Sequence, residues 1–404
     1  MKRQFIKSPI EYQDTFSYGE IRDFAKAHPT DFLGTMDAAA QKGELRLQDI
    51  ADIKGLYQSL CDIQVPLRIE MAGAQRSIMA SAFPVLTGSL VIAAMNAQYQ
   101  SIETVGERLV EDIEDNKKVT SIAAVHNLDK DIEEVKEGED FPEISATEEK
   151  AEIRHKRNGR TLRITAEMIE ENEMADIVSM VNAIPQISSD WIEEQTLKRV
   201  TDHYGSKSSA SEPYVYRPDG TGTTLYSATA NTPGTRAPLG TRITNNALVD
   251  ETDLDAARTR LASMKNNRGK RIAIPRSMLQ IVVPDALLGT LAKILNSEYV
   301  PGVENELSNW GPRGLFHIPI ERVVSSPKLD DLSTSAWYYG AFPQQFKRKW
   351  KLRFEYVTLG MDTQAYLNSR IAFQARIAWD CEIGATDYVY CLQCLATTTA
   401  PADE

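Results

Sequence analysis

Apolar positions recur at helical spacing through MADIVSMVNAIPQISSDWIEEQTLKRVTDHY, residues 174–204. Ile177, Val181, Ile184, Ile187, Trp191, Leu197, Val200 and Tyr204 fall three, four and six residues apart, which lays one stripe along one face of a long helix. Fully helical, it would reach about 45 Å at 1.5 Å per residue. Pro185 lies inside it and removes one backbone hydrogen bond, so the pattern predicts a single bent helix. Sequence before it reads as extended arms, and sequence after it as compact α+β structure.

Further elements follow from the same pattern. Leu45, Leu47, Ile50, Ile53, Leu56 and Leu60 predict a helix over 45–60, in a region too small to form a core alone. Residues 68–105 are rich in Gly, Ala and Ser; they read as a buried connector or as a surface that packs against another copy. Thr252-Asp253 is read as the cap of a helix ending near Asn266. Short strands are predicted at Lys270–Ile274, Leu279–Val283, Ile318–Val324 and Ala336–Phe342, with a helix at Asp285–Leu295. In 349–357, Trp350, Leu352, Phe354 and Tyr356 alternate with charged residues, the period of a strand with one buried face. Residues 370–383 repeat that scheme, and Tyr388–Leu395 is read as a third strand of the same antiparallel sheet, covered by the long helix.

Charge adds a second theme. Residues 103–152 hold 17 Asp and Glu against 6 Lys and Arg, whereas 153–163 carry Arg154, Lys156, Arg157, Arg160 and Arg163 and no acid. Asn158-Gly159 is the strongest short signal for a hairpin turn. Together these predict a projecting hairpin, acidic on the way out and basic on the way back, over about Ile132–Thr165. A two-stranded ribbon is marginal alone in water, so it should lie on a neighbour; the bland alternative is a solvated loop. The contact residues expected at its tip are Arg154, Lys156, Arg157, Asn158, Gly159 and Arg160, with Glu133, Glu134, Glu137, Glu139 and Asp140 as an acidic contact face. Lys347, Arg348, Lys349, Lys351 and Arg353 form a basic strip that could touch nucleic acid but better suits another subunit's acidic hairpin. Residues 206–241, rich in Ser, Thr, Gly and Pro, read as a long ordered loop or hairpin and a further contact element.

Composition restricts the function. The 404 residues suffice for two or three subdomains, and a net charge of −12 argues against a surface built to grip nucleic-acid backbone. Four cysteines, Cys61, Cys381, Cys391 and Cys394, are too few for a disulfide scaffold and suggest synthesis in a reducing compartment. The N-terminal residues lack a signal-peptide core, and the run Ala82–Ala97 falls short of a membrane span. No catalytic, cofactor or metal site is expected. His28, His126, His155, His203 and His317 are scattered; Cys391 and Cys394 lack a second ligand pair; Gly220-Thr-Gly222 follows no strand.

The order of these parts resembles the major capsid proteins of tailed bacteriophages, the Hong Kong 97 capsid fold, and within it is similar to Mu-type head subunits. The resemblance is carried by residues 253–295, DLDAARTRLASMKNNRGKRIAIPRSMLQIVVPDALLGTLAKIL, by residues 321–343, and by RIAFQARIAWDCEIGATDYVYCL at 370–392. It implies an α+β subunit with an N-terminal arm (1–100), an extended loop and its base (101–173), a spine helix (174–205), a long loop (206–244), an axial domain (245–345), a peripheral sheet (346–396) and a tail (397–404). It further implies a non-enzymatic protein that assembles with itself into hexamers and pentamers, closing an icosahedral head around double-stranded DNA. The implied partners are portal and cement proteins, and the implied place is the virion, assembled in the host cytoplasm. The arm is expected to be retained, and Lys150 and Lys156 give no sign of covalent crosslinking. An encapsulin-like bacterial compartment and an α/β enzyme with a dispersed site are the alternatives.

Overall fold

A computed structural model describes residues 95, 99, 102, 104–123, 150–154, 156–165, 174–202, 225–228, 236–266, 269–300, 306–359 and 371–397. The expected helix at 45–60, the small-residue stretch at 68–94 and the acidic residues 133–140 lie outside them. The fold is mixed α+β. Its strands are β1 (Glu111–Glu114), β2 (Val119–Ala123), β3 (Lys150–Arg154), β4 (Lys156–Thr165), β5 (Arg242–Ile243), β6 (Gln280–Pro284), β7 (Val323–Ser326), β8 (Trp337–Gly340), β9 (Phe346–Leu359), β10 (Ile371–Ala385) and β11 (Cys391–Cys394). Its helices are α1 (Met174–Val200), α2 (Glu251–Ala262), α3 (Asp285–Asn296), α4 (Pro327–Asp330) and α5 (Phe342–Gln345). The chain divides into two compact units, and the division falls within β4, α1, β9 and β10.

The first unit contains most of α1 and the adjoining parts of β4, β9 and β10. α1 is continuous through Pro185. Along the predicted stripe Val181 is buried and Trp191 half-buried, but Ile187 is 54% exposed. Trp191 meets Trp379 edge-on at 6.0 Å, and Trp379 in turn lies 5.5 Å from Phe354, which meets Tyr99 at 4.3 Å. This chain of rings ties helix to strands through apolar area plus ring-edge electrostatics. β4 lies beside β10 in a sheet of order β1-β9-β10-β4.

Here the structure corrects the hairpin reading. Asn158-Gly159 is inside β4, not at a turn. A Cβ at Gly159 would stand 2.5 Å from the Ile377 carbonyl oxygen, so the glycine is required by close backbone approach rather than by a reversal of direction.

The second unit holds a five-stranded sheet of order β5-β11-β8-β6-β7. β11 pairs parallel with β5 and antiparallel with β8, and β6 pairs antiparallel with β8 and parallel with β7. Ile281, Val282 and Val283 of β6 are all fully buried, as expected for a central strand covered on both faces. Pro284 ends β6 and leads directly into α3. Trp310, Trp337, Tyr339, Phe342, Phe346 and Tyr388 fill the core. Trp337 Nε1 donates to the Asn246 carbonyl at 2.9 Å, satisfying the one polar atom of that ring.

Three further expectations change. α2 starts two residues earlier than read, because Asp250 caps it and Asp253 returns the bond in a capping box. Lys270–Ile274 forms no strand, only an isolated bridge between Lys265 and Arg271. The residues 388–395 do not extend the sheet of β9 and β10; β11 enters the five-stranded sheet instead, where all four of its residues are buried. Of the loop at 206–241, Leu225, Tyr226, Arg236 and Ala237 are buried, and the Tyr226 hydroxyl donates to the Val200 carbonyl at 2.8 Å.

Gly159→Ala is expected to lower stability by about 2 kcal/mol, in the range for forcing atoms into a packed interior. Chemical denaturation of this variant and of Gly289→Ala, where an added Cβ meets nothing within 4 Å, checks the difference.

Candidate assembly surface

β2 and β3 pair antiparallel, with Ala123 opposite Lys150. Residues 124–149 therefore leave and return at one end of a two-stranded ribbon. Glu133, Glu134, Glu137, Glu139 and Asp140 belong to that segment. At the ribbon, Ile153 is buried, and a Cβ at Gly384 would come within 2.8 Å of its side chain. The acidic excursion is thus anchored at its base by a buried contact.

The residues expected at the tip lie in strands. Arg154 ends β3 opposite Val119, and Lys156, Arg157, Asn158, Gly159 and Arg160 belong to β4. Lys156 Nζ lies 3.6 Å from Glu382, whose other oxygen is 3.5 Å from Arg199 of α1. Arg157 and Arg160 are exposed. The asparagine–glycine signal and the sign change misled jointly: the basic stretch is a sheet strand whose lysine already has a carboxylate in its own chain.

The basic strip is likewise occupied in part. β1 runs parallel to β9 with Glu111 opposite Lys347 and Asp112 opposite Arg348. Arg348 binds Asp112 through two bonds, Nε–Oδ1 at 2.6 Å and Nη2–Oδ2 at 3.1 Å, and its guanidinium carbon lies 5.2 Å from the Trp350 ring centroid. Such a planar, two-point pair is the strong form of ion pairing. Lys347 bonds to Glu111 and to the Pro343 carbonyl. Lys349 is fully buried, and its Nζ donates to the Lys117 carbonyl. Burial lowers the Lys349 pKa, and the charge of Asp115 opposes that shift.

Asp115 itself titrates below the ordinary carboxylate range because it accepts from the Thr120 hydroxyl and the Lys117 amide. Lys347, Arg348 and Lys349 are therefore used within the chain; Lys351 and Arg353 are exposed. The readable signal was the acidic pair Glu111-Asp112, which stands opposite Lys347 and Arg348 in parallel register.

Cys381, Cys391 and Cys394 are buried free thiols, and burial pushes Cys381 and Cys394 up to about 12. Among the described residues no three His, Cys, Asp or Glu side chains gather as a metal set. Nor, among them, is any helix long and apolar enough to cross a membrane.

Comparison with known proteins bears directly on this arrangement. A family model described as phage capsid protein matches residues 148–390, more than half of the chain. The chain belongs to the phage capsid protein family. The matched stretch of this capsid protein begins just before β3 and ends just before β11. No curated protein matches the chain.

Solved structures similar to it include the asymmetric unit of the bacteriophage PhiM1 mature capsid, at 10% identity over 74% of this chain and 89% of that one, with a TM-score of 0.45. The capsid of the cyanophage P-SCSP1u gives 13% identity, 72% and 88% coverage and a TM-score of 0.43. A virus-like particle from Pyrococcus furiosus gives 6% identity, 75% and 97% coverage and a TM-score of 0.40. The family membership rests on the family match alone.

For the capsid protein, Arg348→Ala should cost about 2 kcal/mol of stability, because it removes a buried guanidinium with its charge-assisted two-point bond and its contact with Trp350. Lys351→Ala, at an exposed position, should stay within about 0.5 kcal/mol. Thermal unfolding of the two variants side by side checks the contrast.

Proposed function

We propose that this phage capsid protein is the major head subunit of a tailed phage, built on the Hong Kong 97 fold. In this reading it assembles with itself into hexamers and pentamers that close an icosahedral shell around double-stranded DNA. The family match is the observation that carries the reading. It fits a structural, non-enzymatic role within the virion, with assembly in the host cytoplasm and with portal and cement proteins as partners.

The element assignments follow. α1 is the spine helix, and β2, β3 and the segment 124–149 form the extended loop. Residues 245–345 contribute the axial domain. Glu133, Glu134, Glu137, Glu139 and Asp140 meet cations of a neighbouring subunit, for which Lys351 and Arg160 present exposed charge.

Individually such exposed pairs contribute little. A ring of subunits multiplies them, and apolar surface supplies the larger part of the association energy. Val249, Leu307, Leu315 and Ile320, each more than half exposed, provide such surface.

The protein expressed alone and with its neighbouring genes should give closed shells, rings or tubes in negative-stain electron microscopy, with matching early elution in size-exclusion chromatography. A compact monomer under every condition would overturn the proposal. A second variant isolates the loop. Because Ala123 and Lys150 stand opposite each other, replacing residues 124–149 by Asn-Gly closes the ribbon with a two-residue turn. That variant should keep the subunit's circular dichroism and melting temperature and lose assembly; full assembly would remove the loop from the interface.

A further inference from the structure

Beside α2 opens a cavity of about 390 Å³ ringed by four arginines: Arg258 from the helix, Arg271, Arg276 and Arg322. Phe316 stands among them, with the guanidinium carbons of Arg258 and Arg276 at 4.2 and 5.1 Å from its ring centroid. Two of the arginines are held by backbone: Arg276 donates to the Leu315 carbonyl at 2.9 Å, and Arg322 donates to the Arg276 carbonyl at 3.1 Å. Asp255, bonded to Arg258 at 3.0 Å, is the one carboxylate among the described residues that pairs with any of the four. Arg271 makes no side-chain bond among the described residues.

Tyr339 forms the floor. It is 1% exposed and packs edge-on against Trp310 at 6.2 Å. Its hydroxyl borders the cavity and has no hydrogen-bond partner among the described residues. Burial raises its pKa far above neutral, so it stays a donor, while the charges of Arg258 and Arg276 act on it in the opposite direction. Four cations, one carboxylate and an unused hydroxyl donor around one cavity leave a surplus of positive charge in a chain whose net charge is −12.

We infer that this cavity is a binding site for a phosphate-class oxyanion, gripped by Arg271, Arg276 and Arg322 and hydrogen-bonded from below by Tyr339. Guanidinium groups match phosphate oxygens in planar, two-point fashion, and several of them converging with a hydroxyl suit a tetrahedral anion with three free oxygens. Phe316, Ile272 and Ile274, all half-buried, give the cavity an apolar wall beside the charges. The anion comes either from a small phosphate compound or from the phosphodiester backbone of DNA.

Calorimetric titration of the full-length protein at low salt, with sodium pyrophosphate in one arm and a short DNA duplex in the other, tests this independently of shell formation. Saturable binding of pyrophosphate at one per chain is expected, weakened about tenfold by Arg271→Ala and several-fold by Tyr339→Phe. Lys293→Ala, outside the cavity, should bind as the parent does. Tyr339→Phe keeps the buried ring, so an unchanged melting temperature separates lost binding from lost folding. Weakening in the pyrophosphate arm alone assigns a small ligand, and weakening in both arms assigns the duplex backbone as well. Absence of saturable binding in both arms, or binding that both variants leave unchanged, would overturn the site.

Discussion

Insertion of β11 between β5 and β8 is the interaction on which the second unit depends. From Ala385 to Leu395 every side chain is buried, and the neighbours of this stretch come from distant parts of the sequence. Gln345 accepts the Tyr390 and Cys391 amides at 3.1 and 2.9 Å, so its buried amide oxygen holds the entry to β11 in place. Arg236 bonds to Asp387 at 2.6 Å, both almost without exposure, and stacks over Tyr388 at 5.3 Å. A buried pair of this kind contributes little net energy but is costly to break on one side. It therefore specifies where the last strand enters rather than supplying much of the stability.

Charge is used twice in this chain. Near β1 the acids are consumed internally, by Lys347 and Arg348 across a parallel strand pair. Beyond β2 the acids of 124–149 continue with few cations in sequence reach. The boundary between the two uses is the β2–β3 ribbon, whose buried Ile153 anchors it.

Strong local periodicity was legible in the sequence. The long amphipathic stripe gave α1, the run IVVP gave β6 and the start of α3, and alternation from Trp350 onward matches the half-buried Leu352 and Phe354 between exposed Lys351 and Arg353. What escaped depended on partners far away in the chain. β10 is buried on both faces from Ile377, which alternation cannot reveal. Gly159 carries a turn signature yet serves close packing against Ile377. β11 is apolar enough for either sheet, and only pairing with Trp337–Gly340 decides between them. The arginine ring draws Arg258, the pair Arg271 and Arg276, and Arg322 from three separate segments, so no single spacing could announce it.

The late position of β11 in the chain has a consequence for synthesis. Core strands β5, β6, β7 and β8 all precede it, yet β5 and β8 flank the slot that residues 391–394 fill. Contacts of such long sequence separation form late because loop closure must precede them. A nascent chain that has not yet reached residue 394 cannot complete this sheet. Order of synthesis alone therefore makes β11 the last strand to join, and the slot between β5 and β8 stays open until it does.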